Sequence, residues 1–381
     1  MKTARTVPQL ARITAMFAGI ILLAFAASAQ TADHYLCNDE HVHITNYIQE
    51  GTDIHTFLAL MGDKVGRAAL FGIPLQQEWS YANSGDYAPA YYLQTDAPLY
   101  YYSFTDAVIA MMYKSLTKEE QARFDPMITG FNPADMYATD HIRRVLQTFP
   151  GVFEGIGEFT IHKEFVSSKV AGGTATLLNP ALDRILDFAG DVGLLVIIHN
   201  DMDVPFAKPS SPATYLNDMD DVRSGNALPV YLDQMRALLA RHPKTTIIWA
   251  HMGMGRVVRP VQGQAAIVES ILKDPKFSNV YFDISWDEVA KYLVASPGTL
   301  HVAAALINKY PDRFLFGSDE VAPQTEEQYL KVYHMYDPLW QLLTPEASEK
   351  VRKGNYERLF DQARIRVRAW EAANVKPSPV N

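Results

Sequence analysis

Leu194-Leu195-Val196-Ile197-Ile198-His199 is a short apolar run, rich in β-branched residues, that stops at a histidine. Nothing polar alternates within it, which is the pattern of a parallel strand covered on both faces. Two later runs repeat it: Thr246-Ile247-Ile248-Trp249-Ala250 leads into His251, and Phe314-Leu315-Phe316-Gly317-Ser318 leads into Asp319. Each puts a metal-ligating residue type at the C-terminal end of a strand. In a (β/α)8 barrel that end carries the active site, assembled from several strands.

Upstream, Asp39-Glu40-His41-Val42-His43-Ile44 sets two imidazoles on one face of a strand, because positions i and i+2 point the same way. Alone, the pair is equally compatible with two ordinary polar residues. Further strands are predicted at 67–74, 124–131, 152–157 (delivering Glu158) and 279–285, with helix-like stretches such as 231–240 between them. Eight strands alternating with helices make βαβ units and one parallel α/β fold, a (β/α)8 TIM barrel. Such barrels need about 250 residues, so long insertions are assigned to the loops after strands 2 and 5. The first, 75–121, holds seven tyrosines from Tyr81 to Tyr102; the second, 201–229, carries Asn217-Asp218-Met219-Asp220-Asp221. Both are candidate lids, with packing of the tyrosines onto the barrel as the alternative. The acidic run reads as a solvated loop, because it lacks the glycine and terminal glutamate of a calcium loop.

Lys2, Arg5 and Arg12 precede an uncharged segment, 13–29, that closes on Ala27-Ser28-Ala29. This is the layout of a secretory signal peptide over 1–29. It leaves a single domain over 30–381 and a periplasmic or secreted location. A retained anchor is the alternative, since the segment approaches the ~18 residues of a spanning helix. Cleavage moves the formal charge from −9 to −12. So acidic a chain argues against nucleic-acid or anionic-membrane partners and for a small-molecule substrate. Cys37 is the only cysteine, so no intrachain disulfide supports the fold; it reads as a small buried residue before the first strand.

The ordered set of His-x-His, Gly-Glu, His, His-Met-Gly and Gly-Ser-Asp resembles the amidohydrolase superfamily. Within it the chain is most similar to the amidohydrolase-2 branch, which includes aminocarboxymuconate-semialdehyde decarboxylase-like enzymes. Near the C-terminus Gly354-Asn355-Tyr356-Glu357-Arg358-Leu359-Phe360 resembles a Gly-Asn-Ala-x-Arg-Leu-Phe helix common there. The resemblance implies that His41, His43, His199 and Asp319 hold a divalent metal, zinc before others, as one or two ions. It makes Asp319 also the proton acceptor, and His251 either a support for the ligands or a group acting on the substrate. Glu158 either bridges two metals or orients a ligand histidine. Lys163, five residues on, is misplaced for a strand-end bridging lysine. His162, Arg256 and Glu320 are candidate substrate contacts, against their reading as exposed loop residues. The remaining histidines read as structural or surface. The function implied is hydrolysis of a small amide, lactone or ester. Non-oxidative decarboxylation on the same site is the alternative, and a non-catalytic metal- or solute-binding protein is a third reading. That third reading is disfavoured because every expected catalytic position is occupied. Intact mass of the exported protein is expected to begin at Gln30; the full-length chain in the membrane fraction would instead identify an anchor.

Overall fold

The computed structural model describes residues 35–89, 95, 97–163, 166–203, 228–254 and 260–376. Eight strands form the barrel: β1 (Cys37–His43), β2 (Val65–Phe71), β3 (Phe124–Ile128), β4 (Gly155–Thr160), β5 (Leu195–His199), β6 (Ile247–Trp249), β7 (Val280–Asp283) and β8 (Phe314–Leu315). Each pairs in parallel with the next. β8 is shorter than the run 314–318 because the chain leaves β7 after Leu315 and swings to β1. There the Glu40 N–H donates to the Phe316 carbonyl at 3.2 Å and the Asp319 N–H to the His41 carbonyl at 2.7 Å. Glu320–Val321 then pairs with Val42 and His43. The curled sheet so returns to its first strand, as a TIM barrel requires. Where β4 crosses closest to β5, Gly157 has φ +114°, and a Cβ there would stand 2.2 Å from the Ile197 carbonyl oxygen. Only glycine fits.

Strand alternation sorts the side chains into two apolar clusters. Ala69, Phe71, Met127, Leu195, Ile197, Ile248 and Leu315 pack with one another and with Tyr356, Leu359 and Phe360 of the final helix, Asn355–Asn374, inside the barrel. Val196 and Ile198, one residue out of phase, join the larger cluster under the surrounding helices. Helix Pro180–Val192 shows why those helices form: Asn179 caps it, proline opens it and Gly193 ends it in the left-handed region. Its buried Leu182, Ile185, Leu186 and Ala189 follow helical spacing. Cys37 is fully buried, as the first residue of β1.

The final helix also closes the lower end of the barrel with charge. Fully buried Asp125 accepts hydrogen bonds from Arg67 at 2.8 and 3.0 Å, from the Tyr356 hydroxyl at 2.6 Å, and from Arg364. Burial pushes the Asp125 carboxyl up; the Arg67 and Arg364 guanidiniums outweigh it and hold the group below the usual carboxylate range.

Between β2 and β3 lie a two-stranded antiparallel sheet, Leu75–Gln77 with Leu99–Tyr101, and helix Phe104–Ser115. Tyr81 and Tyr87 are exposed rather than packed on the barrel. The signal segment, Tyr91, Tyr92, Arg256 and most of the loop after β5, with its acidic run, lie outside the described residues. Among the described residues no helix is long and apolar enough to cross a membrane.

Asp125→Ala removes a buried acceptor of Arg67, Arg364 and Tyr356, while Arg67 keeps Asp361 and Arg364 keeps Glu154, and is expected to lower unfolding stability by about 1–3 kcal/mol at neutral pH. Because the folded carboxyl titrates below its unfolded value, this difference should shrink as pH falls below about 4. Denaturant titrations of both proteins at pH 7 and pH 3 check both statements.

Candidate metal centre

The alternation that turns Leu195 and Ile197 inward turns His199 inward one step further along β5. His41 and His43 do the same on β1, and Glu158 lies within β4. His251 and Asp319 sit just beyond β6 and β8 with left-handed backbones, φ +57° and +52°. Trp286, beyond β7, has φ +80°. With Met252 at φ +54° beside His251, these non-glycine residues in an unfavourable region at one barrel mouth mark a site whose surroundings impose the conformation.

Glu158 stands in the middle. Its Oε2 is 3.4 Å from His43 Nε2 and 3.8 Å from His41 Nε2. Its Oε1 is in close contact with His199 Nδ1 and 3.4 Å from His251 Nε2. Across the site, Asp319 Oδ1 is 3.1 Å from His43 Nε2 and 3.2 Å from His41 Nε2, while Oδ2 is 4.0 Å from His251 Nε2. All six side chains are buried, with at most 6% of any exposed. Burial raises the Glu158 carboxyl, but Lys163 and His199 outweigh it; for Asp319, His41 outweighs burial. Both are held well below the usual range and are therefore ionised.

The rings of His41, His199 and His251 each have the other nitrogen engaged by a polar group, while His43 Nδ1 is buried without a hydrogen-bond partner among the described residues. Asp283 Oδ1 accepts from the His251 N–H at 2.7 Å and from the Ser285 hydroxyl at 2.6 Å. With its proton committed, Ser285 Oγ can only accept from His251 Nδ1, at 2.7 Å. Asp283 Oδ2 lies 3.5 Å from His41 Nδ1, and Asp201 Oδ1 lies 2.9 Å from His199 Nε2. A carboxylate only accepts, so the protons sit at these outer nitrogens. The nitrogens facing Glu158 and Asp319 share a proton with those carboxylates, as at His199 Nδ1 and Glu158 Oε1, and present a lone pair to a cation when that proton is released. Among the described residues, His41 Nε2 and His251 Nε2 are buried without a hydrogen-bond partner. Four imidazoles around two ionised carboxylates suit a divalent cation of the zinc type, whose binding displaces the inner protons. Among the described residues three sets converge closely enough to share one: His41 with His43 and Glu158, Glu158 with His199 and His251, and His41 with His251 and Asp283.

The structure thus brings together every residue of the expected set, His41, His43, Glu158, His199, His251 and Asp319. It adds Asp201, Asp283 and Ser285, whose part sequence reasoning missed. A signal existed for Asp283, the only charged residue in the run 279–285. His162 and Glu320 are not exposed loop residues. His162 is 9% exposed and stacks on Tyr231 with ring centroids 3.7 Å apart; burial pushes it down to about 4. Burial pushes Glu320 up to about 7. His242 and His141 are structural, paired with Asp183 and Asp187 and with Asp106. A cavity of about 340 Å³ lies over the centre, lined by His43, Lys163, Trp286, Asp319 and Glu320 among others.

The family model described as Amidohydrolase matches residues 39–362. No curated protein matches the chain. Among solved structures it is similar to a candidate 2-pyrone-4,6-dicarboxylic acid hydrolase from Pseudomonas putida, at 13% identity and TM-score 0.51, covering 86% of this chain and 98% of that one. An amidohydrolase from Burkholderia multivorans with bound zinc is 12% identical at TM-score 0.49, covering 86% and 99%. The 5-carboxyvanillate decarboxylase from Sphingomonas paucimobilis is 15% identical at TM-score 0.43, covering 80% and 82%.

The depressed His162 value means that folding excludes a proton which the unfolded chain takes up near pH 6.5. Its contribution to stability is present above that pH and is lost as pH falls towards 4. The imidazole signal in NMR is expected to remain that of the neutral ring at pH 5; a midpoint above 6 would contradict this.

Proposed function

This chain belongs to the amidohydrolase family, and from that premise we propose that it is a metal-dependent hydrolase of a small amide, lactone or ester. The observation that carries the reading is the orientation of His41, His199 and His251, each with its outer nitrogen bound by Asp283, Asp201 or Ser285 and its inner one facing Glu158 or Asp319. Such preorganisation has no use in a purely structural cluster. We propose that His41, His43, Glu158 and Asp319 would hold one divalent ion, zinc before others, and that Glu158, His199 and His251 would hold a second.

A divalent ion there supplies a Lewis acid for a carbonyl oxygen and makes water acidic at neutral pH. The protein's own groups do the rest. Asp319 Oδ2, turned away from His41 and His43, takes the proton of the water that attacks the carbonyl carbon. When the bond to the leaving nitrogen or oxygen breaks, that proton is returned to it. The strained turns at His251 and Asp319 hold these groups in place without reorganisation. Export with Gln30 as the mature N-terminus is part of the same proposal.

Zinc-reconstituted protein is expected to hold two equivalents by elemental analysis. Asp319→Ala should lose metal and turnover together, with turnover down roughly 100-fold or more. His251→Ala should retain one equivalent, and Ser285→Ala should keep both sites with affinity weakened about 10- to 100-fold. Less than a tenth of an equivalent after incubation with zinc or manganese would sink the reading. Panels of amides, lactones and esters identify the reaction, and release of carbon dioxide from carboxylated aromatics alone would establish decarboxylation instead.

A further inference from the structure

We propose that Glu320 binds an amino group of the substrate, so that the site takes a small amide, lactone or ester of an amine-bearing molecule. This rests on the metal-dependent reading above and names the substrate class for it. Glu320 follows the candidate ligand Asp319 on the stretch that returns the sheet to β1, where it pairs with Val42. Its own N–H donates to Ser318 Oγ at 3.2 Å, and two residues on the Ala322 N–H donates to the His43 carbonyl at 2.7 Å. A backbone tied on both sides holds the Glu320 side chain at the wall of the cavity of about 340 Å³ over the centre.

The other charges that line this cavity have partners of opposite sign. Lys163 Nζ stands 3.8 Å from Glu158 Oε2, and Asp319 Oδ1 faces the imidazoles of His41 and His43. Lys331 reaches Asp287 at 3.1 Å, and Asp287 also meets Lys291 at 3.3 Å. Glu320 has an uncharged donor instead, Gln328 Nε2 at 3.3 Å from Oε2, and among the described residues it makes no ion pair. A half-buried carboxylate without a countercharge is costly, and a substrate ammonium supplies that charge together with a charge-assisted hydrogen bond. Trp286 and Tyr47 line the same cavity, and aromatic faces attract a cation as well. A substrate carboxylate in this position would instead meet Glu320 and Asp287 as like charges. The cavity is of a size for a small ligand fixed by a few placed polar groups.

3-Aminopropanohydroxamate and butanohydroxamate test this. Both present a hydroxamate to the metal and have the same length, but one ends in an ammonium and the other in a methyl group. A second pair, 4-aminobutanohydroxamate and pentanohydroxamate, reaches one methylene further. Titration calorimetry on the zinc-loaded full chain is expected to show the amine of at least one pair bound at least tenfold more tightly than its methyl counterpart. In Glu320→Gln the ratio of the two dissociation constants should fall to within about threefold of one. Wild-type ratios near one in both pairs, a ratio unchanged in Glu320→Gln, or no binding of either amine overturns the proposal. Zinc content measured on the same samples keeps the two readings apart. Absence of zinc from every sample defeats the metal-dependent reading, while the change of ratio between wild type and variant decides the role of Glu320 whatever the zinc content.

Discussion

Two ionised carboxylates, Glu158 and Asp319, buried among four imidazoles form the constraint on which the rest of this structure depends. Charges removed from water are costly unless each finds a partner of good geometry. Here the partners are ring nitrogens that must present lone pairs or protons in the right direction, which a histidine alone does not guarantee. Asp283, Ser285 and Asp201 supply that direction from behind. A single residue, Asp283, touches both His41 and the backbone of His251, so β7 governs the orientation of rings carried by β1 and β6.

The opposite end of the barrel solves the same electrostatic problem without leaving a site. Asp125 is as buried as Glu158, yet the Arg67, Arg364 and Tyr356 donors already satisfy it. The final helix delivers two of these three and seals the interior with Tyr356, Leu359 and Phe360. Buried carboxylates therefore occur at both ends, but among the described residues only those at the C-terminal end are faced by unpartnered ring nitrogens. A saturated ion pair rigidifies; an unsaturated one is ready for a ligand.

Backbone conformation completes the contrast. His251, Trp286 and Asp319 adopt left-handed conformations at consecutive strand ends, and Gly317 lies so close to β1 that a Cβ would stand 2.6 Å from that of His41. The turn 316–319 must leave β7, reach β1 and present Asp319 inward within four residues. A small residue at 317 and a strained one at 319 are the local cost of closing the barrel through the site.

By itself the sequence pattern pointed to the barrel and to His199, His251 and Asp319 at strand ends, while the place of His41, His43 and Glu158 in the set came from the family resemblance. Unbroken apolar runs require strands buried on both faces, and a ligand-type residue at the end of several such runs can only collect at one mouth. The boundaries followed within a few residues, except at β8, where hydrogen bonding to β1 rather than apolar pattern ends the strand. Tertiary structure alone decided which nitrogen of His41, His199 and His251 faces inward, because that depends on Asp283, Asp201 and Ser285, two of them distant in sequence from the rings they hold. It also decided that both oxygens of Glu158 face imidazoles, and that Lys163, His162 and Glu320 lie in or beside the mouth rather than on exposed loops. The physical reason is the same in each case. Periodicity reports which face of a strand a side chain occupies, whereas hydrogen-bond direction and burial beyond a strand end are set by what the other strands bring to the same point.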